Sequence, residues 1–212
     1  MKSSAHIITK DVLARLRSMI LASELKPGQR LVEEDLCRTL GAGRTPVREA
    51  LLLLQGEGYV LRERGWEVQG AGRLDLHTIF ESRVAVEAAT ARLAARKITP
   101  ESCVRMEELL ARMAPGPSLK RAALNALNNE FHQIIIRTAD NPLLTQLHER
   151  TMFHYWALRL PIMFSDEELK RVEAQHQAIL EALRKGDEDA AERCARAHAE
   201  MTRDIVESAI QP

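Results

Sequence analysis

Three histidines and one asparagine in the second half of the chain have the spacing of a metal site. Asn128 and His132 stand four residues apart, so on a helix they share one face. His176 lies 10 residues before Gly186, and His198 lies 11 after Asp187. If Gly186-Asp187 folds one helix back along another, both imidazoles stand about 15–17 Å from the turn, at matching height. Three imidazoles and an amide oxygen then converge. That donor set suits a divalent metal, Zn or Ni ahead of Cu or Fe(II), and leaves a position open for water or a ligand. The plainer alternative is a set of ordinary core or surface histidines, which is the expectation for His77, His148 and His154.

Arginine supplies the other chemistry. Arg44 and Arg48 are one helical turn apart and point the same way, and a guanidinium fork bonds guanine O6 and N7 together. Thr45, at a helix start, can hold a phosphate through its hydroxyl and backbone N–H. Arg30 is a second candidate phosphate contact. Arg62 and Arg64 flank the wing, and Gly65 would let backbone approach a minor groove. The same arginines could instead form surface ion pairs with Glu34, Glu49 and Glu63. Arg83 follows Phe80 by three and precedes Glu87 by four, near a buried face. A charge there needs a partner, either Glu87 or an incoming carboxylate gripped at two points.

Helices must position these groups. Leu13, Leu16 and Ile20 recur at helical spacing from Thr9 to Ser23, and Pro27-Gly28 then forces a turn. Glu33, Glu34 and Asp35 open a second short helix, where the dipole favours negative charge. It stops at Gly41-Ala42-Gly43. The third helix is expected to start with Thr45 as N-cap and Pro46 at its first position. Val47, Ala50, Leu51 and Leu54 form its buried face. Tyr59 to Gln69, with Gly65 at the tip, reads as a two-stranded wing. Together these make a winged helix-turn-helix over residues 1–70.

Residues 71–212 read as helices throughout: 73–97, 100–113, 118–138, 142–160, 166–185 and 187–209. Pro and Gly punctuate them at Pro100, Pro115-Gly116-Pro117, Pro142, Pro161 and Gly186. The expected fold is mainly α, the N-terminal winged domain plus a C-terminal antiparallel six-helix bundle, joined by the Gly70-Ala71-Gly72 linker.

Composition agrees. The chain has 212 residues, 30 basic and 30 acidic side chains, and only 4% aromatics. Zero net charge argues against a general polyanion coat. Residues 1–70 carry 11 basic and 9 acidic side chains and the rest 19 and 21, so the reader domain is only mildly basic. The longest apolar run, Ala50 to Leu54, is too short to span a membrane, and no secretory core opens the sequence. Cys37, Cys103 and Cys194 are odd in number and outside any Cys-x-x-Cys, as expected of reduced thiols in the cytoplasm.

Two resemblances follow from these residues. Leu25-Lys26-Pro27-Gly28-Gln29-Arg30-Leu31, then Gly43-Arg44-Thr45-Pro46-Val47-Arg48-Glu49-Ala50-Leu51 and Glu57-Gly58-Tyr59-Val60, resemble the GntR family of bacterial transcription regulators. The resemblance implies homodimers on short palindromic double-stranded DNA operators, mostly as repressors. It places Arg30, Arg44, Thr45, Arg48 and Gly65 at DNA, with Arg64 beside the wing tip. Gly43 departs from the family's usual Ser, and Leu52-Leu53 stand where a polar residue is expected. Glu81-Ser82-Arg83 with Glu87, Asn128-Asn129-Glu130-Phe131-His132, Ala139-Asp140-Asn141-Pro142, His176-Gln177-Ala178-Ile179, Gly186-Asp187 and His198 resemble the FCD effector domain of the FadR-type branch. That implies a metal held by one Asp and three His, and a small organic acid effector, for which Arg83 is the candidate. Here Asn128 occupies the Asp position, which lowers the charge of the site and its expected affinity.

The leading expectation is therefore an effector-controlled transcription regulator, switched through the spacing of its winged domains. A metal-dependent enzyme using His132, His176 and His198 is the alternative, although no motif places a base or nucleophile beside them. A winged helix acting as a protein-interaction module is the third.

Overall fold

A computed structural model describes residues 2–22, 24–70, 75–114, 121–158 and 164–210. Of the expected Gly70-Ala71-Gly72 linker, residues 71 and 72 lie outside them, as do the breaks at 115–117 and 161. The chain packs as two units, Met1–Asp75 with Met152–Arg159, and Leu76–Thr151 with Leu160–Pro212.

The first unit runs α1 (Lys2–Leu21), β1 (Arg30–Leu31), α2 (Glu33–Leu40), α3 (Arg44–Gly56), β2 (Val60–Arg62) and β3 (Trp66–Val68). Its core gathers Leu16 and Ile20 of α1, Leu36 and Leu40 of α2, and Val47, Ala50, Leu51 and Leu54 of α3. Each fully buried leucine contributes roughly 1.5–3 kcal/mol. The acidic first turn of α2 and its left-handed end at Gly41 (φ 63°) follow the sequence. Two details differ. The wing is a three-stranded antiparallel sheet, β1-β3-β2, because Arg30 pairs with Glu67 and Leu31 with Trp66. And α3 starts two residues early: Gly43, extended at φ −72° and ψ 167°, is the N-cap, and it makes no side-chain cap hydrogen bond. Thr45 is thus its second residue and Pro46 its third. First-turn N–H groups have no helical partner, so a proline is accommodated at any of those positions. Leu52 and Leu53 are 47% and 49% exposed. The end of a later helix, α7 (Pro142–Ala157), belongs to this unit, where Phe153 lies edge-on to Tyr59 with ring centroids 5.0 Å apart.

The second unit is helical: α4 (Leu76–Ala95), α5 (Pro100–Met113), α6 (Arg121–Ala139), α7 (Pro142–Ala157), α8 (Asp166–Arg184) and α9 (Glu188–Ile210). Their boundaries have local causes. Thr99 caps α5 by accepting from Ser102 N, with Pro100 next, and Ser165 and Glu168 form a reciprocal capping box at α8. Between α8 and α9, Gly186 takes φ 65°, its N–H donates to Leu183 O, and Asp187 Oδ1 accepts from Ala190 N. The α4 helix packs against α6, α8 and α9, and α8 against α9. Phe131, Met106, Leu109, Ile179, Leu180 and Leu183 fill the centre. No helix among the described residues is long and apolar enough to cross a membrane.

Candidate functional site

The first candidate surface lies on α3 and the wing. Burial of Val47, Ala50, Leu51 and Leu54 turns Arg44, Thr45, Arg48 and Glu49 outward, all exposed. Arg44 reaches Glu34 at 3.8 Å, with 73% of its side chain exposed. Arg48 instead makes a two-point pair: its Nε and Nη2 donate to the two oxygens of Glu33 at 3.0 and 2.7 Å. Glu33 also accepts the Trp66 indole N–H at 3.0 Å, and these hydrogen bonds lower its carboxyl to about 2. Glu33 was not among the ion-pair partners expected from the sequence, whereas Glu49 accepts from Thr9 Oγ1 at 2.9 Å. On the wing, Arg30 donates to the carbonyl of Arg64 at 3.5 Å, and Gly65 sits over its guanidinium at φ 136°. Arg30, Arg64 and Gly65 are therefore brought together, and the Arg62 guanidinium lies 4.8 Å from the Trp66 ring centroid.

The second candidate site is buried in the helical unit. Ring nitrogens of His132, His176 and His198 all lie within 4.8 Å of one another. His132 Nε2 and His176 Nε2 are 3.3 Å apart. Burial holds all three below the ordinary histidine range, His176 and His198 well below it, so they are neutral and able to donate lone pairs. His198 Nδ1 is buried without a hydrogen-bond partner among the described residues. A convergent set of neutral imidazoles with an orphaned nitrogen fits a divalent cation. Asn128 is half-buried one turn before His132 on α6.

Two more residues enter this site: Glu87, expected from its spacing only as a partner of Arg83, and His148, expected to be an ordinary histidine. Glu87, on α4 and 6% exposed, puts Oε2 at 4.0 Å from His132 Nδ1 and Oε1 at 3.9 Å from His148 Nε2. Its Oε1 accepts from Arg83 Nε at 2.6 Å, so the four-residue spacing pairs the two, as the plainer expectation had it. Burial disfavours the Glu87 charge, but Arg83 overcomes it and holds the carboxyl below its usual range. His148 is 2% exposed, its Nδ1 has no hydrogen-bond partner among the described residues, and burial pushes it down to about 4. A cavity of about 10 Å³, room for one water, lies against Glu87, Thr90, His132 and His148. The signal that could have found Glu87 is its helical spacing from Arg83. His148 carried none.

Comparison with known proteins adds an independent line. The profile described as "FCD domain" matches residues 78–201, and that described as "Bacterial regulatory proteins, gntR family" matches residues 8–68. The chain is 25% identical over 190 residues to the uncharacterized HTH-type transcriptional regulator YdhC of Bacillus subtilis (strain 168), covering 87% of this chain and 84% of that one. It is 28% identical over 196 residues to the HTH-type transcriptional repressor RspR of Escherichia coli (strain K12), covering 90% and 85%. The solved structure of E. coli McbR/YncC shares the fold with a TM-score of 0.73 at 24% identity, covering 95% and 97%.

Proposed function

Since the chain belongs to the GntR family of bacterial regulatory proteins and carries an FCD domain, we propose that it is an operator-binding repressor controlled by a small organic acid. GntR regulators bind DNA, and FCD domains bind small-molecule effectors and often metals. In our reading it acts in the cytoplasm as a homodimer on a palindromic operator. Arg44, Thr45 and Arg48 enter the major groove, and Arg30, Arg64 and Gly65 meet the backbone and minor groove. The observation that carries the DNA reading is the outward face of α3, with two exposed arginines one turn apart at the start of a helix whose N-cap, Gly43, makes no side-chain cap hydrogen bond.

In the helical unit, His132, His176 and His198, with Asn128 beside them, would hold a divalent metal, Zn or Ni. Such an ion supplies a Lewis-acidic position for an effector oxygen. Arg83 would take the effector's carboxylate, and it does so by exchanging or sharing its Glu87 partner. A cavity of about 10 Å³ is too small for an organic acid, so binding requires side chains to move. That requirement supports a switch, because a ligand shifts conformations only when it binds one better than another.

Operator binding by full-length protein tests the proposal. An Arg44→Ala, Arg48→Ala double substitution should weaken it by about a hundredfold or more at physiological salt. Unchanged affinity overturns the assignment of α3. Thermal melting against a panel of small organic acids, with and without zinc, tests the effector half. An upshift that needs the acid and is lost in Arg83→Ala supports it.

A further inference from the structure

His132 has two ring nitrogens with different neighbours. Its Nε2 faces His176 Nε2 at 3.3 Å, on the side where the imidazoles converge. Its Nδ1 faces away, toward Glu87 Oε2 at 4.0 Å. Glu87 is buried and tied to Arg83 through its other oxygen. A histidine that ligates metal through one nitrogen commonly gives the N–H of the other to a carboxylate, which fixes the tautomer, orients the ring and raises its basicity.

We propose that Glu87 is the outer carboxylate of the metal centre: it accepts the Nδ1–H of His132, aims Nε2 at the ion, and supplies the negative charge that Asn128 does not. The inference rests on the metal reading of His132, His176 and His198. A movement of about 1 Å closes the 4.0 Å separation to a charge-assisted hydrogen bond. Arg83 is part of the device, because its bond to Oε1 holds the buried carboxylate ionised with Oε2 toward His132. Glu87 is a positioning residue here, acting on the ion through His132.

The experiment is zinc titration of the full-length protein against a chromophoric chelator, with cobalt(II) absorption as a second readout. Wild type should bind one zinc per chain, and His132→Ala should abolish it. Glu87→Gln, which keeps the side-chain shape and removes the charge, should bind zinc about 10–100-fold more weakly and shift the cobalt bands. Wild-type zinc affinity with an unchanged cobalt spectrum in Glu87→Gln overturns the role of Glu87 and leaves the histidine site standing. No zinc bound by wild type, or full binding by His132→Ala, overturns the metal reading and this inference with it. Glu87→Gln leaves Arg83 buried without its carboxylate and can fail to fold. In that case Glu87→Asp, which keeps the charge for Arg83 but withdraws the carboxylate from His132, is compared with wild type. Weaker zinc binding by Glu87→Asp supports the inference, and equal binding with an unchanged cobalt spectrum overturns it.

Discussion

Glu33 clasps Arg48: its two carboxylate oxygens accept from Nε and Nη2, at 3.0 and 2.7 Å, fifteen positions along the chain. Arg48 is therefore held in a fixed direction with its charge paired, and on the proposed DNA reading a phosphate or base must compete with Glu33 for it. Glu33→Gln should raise affinity for nonspecific DNA, steepen the salt dependence by about one unit of slope, and lower the specific-to-nonspecific ratio. The carboxyl sits at about 2 against an ordinary 4.5, so it contributes fully above about pH 4.5 and is lost as pH falls from there to about 2. Titrations of DNA binding against salt for both proteins check this.

Gly65 at φ 136° should not tolerate a side chain. A Cβ there would stand 3.5 Å from Arg30 Nη2, an ordinary contact, so the cost is backbone strain rather than a clash. Gly65→Ala is expected to cost about 1–3 kcal/mol and to weaken operator binding, with the helical unit's ligand response intact. Denaturation and operator titration of the same preparation distinguish the two effects.

The buried histidines predict acid sensitivity. His148 falls from its ordinary 6.5 to about 4 because burial penalises the charged ring, partly offset by Glu87. The unfolded chain binds its proton below about 6.5 and the folded chain only below about 4. Stability is thus lost across that window, by up to ~3 kcal/mol from this residue, and no further below it. Chemical denaturation of metal-free protein between pH 7.5 and 4 should show the loss, reduced in His148→Leu.

Arg83 and Glu87 form a buried ion pair, 4% and 6% exposed. Removing one partner strands the other, so Arg83→Ala and Glu87→Ala should each cost about 3–5 kcal/mol. Arg83→Ala, Glu87→Ala together should cost far less than the sum. A double-mutant cycle by urea denaturation measures the coupling.

Asn128 offers a gain-of-function test. An Asp in its place adds a charge one turn before His132, and Asn128→Asp should raise zinc affinity by about tenfold or more in chelator competition.

How much of this could be read from the sequence depends on whether the cause is local. The boundaries of α5 and α8 follow from Thr99-Pro100 and Ser165, and the buried face of α3 from its apolar spacing. His176 and His198 were legible because both are counted from the same turn. The α3 start was displaced because Gly43 needs no side chain to take an extended conformation. Strand β1 escaped notice because two residues carry no alternation, and it exists only through pairing with Glu67 and Trp66. Glu87 could be placed beside Arg83, but its approach to His132 and His148 depends on how α4, α6 and α7 pack. Leu52 and Leu53 widen the apolar face of α3 yet remain about half exposed, and nothing in the structure explains them.

The turn at Gly186 has a consequence for how this chain can vary. Its left-handed backbone, closed by Leu183 O and Ala182 O and set within 3.6 Å of Ala95 O for any added Cβ, fixes where α9 begins. His198 reaches its neighbours only because of that starting point. One inserted or deleted residue between Arg184 and Glu188 would rotate α9 by about 100° and carry the imidazole off the shared axis. Loop length is therefore as binding a constraint as the histidines themselves: three residues of connector, none of them a ligand, store the geometry of the buried centre. Lineages free to change the surface of α8 and α9 are not free to change the count between them.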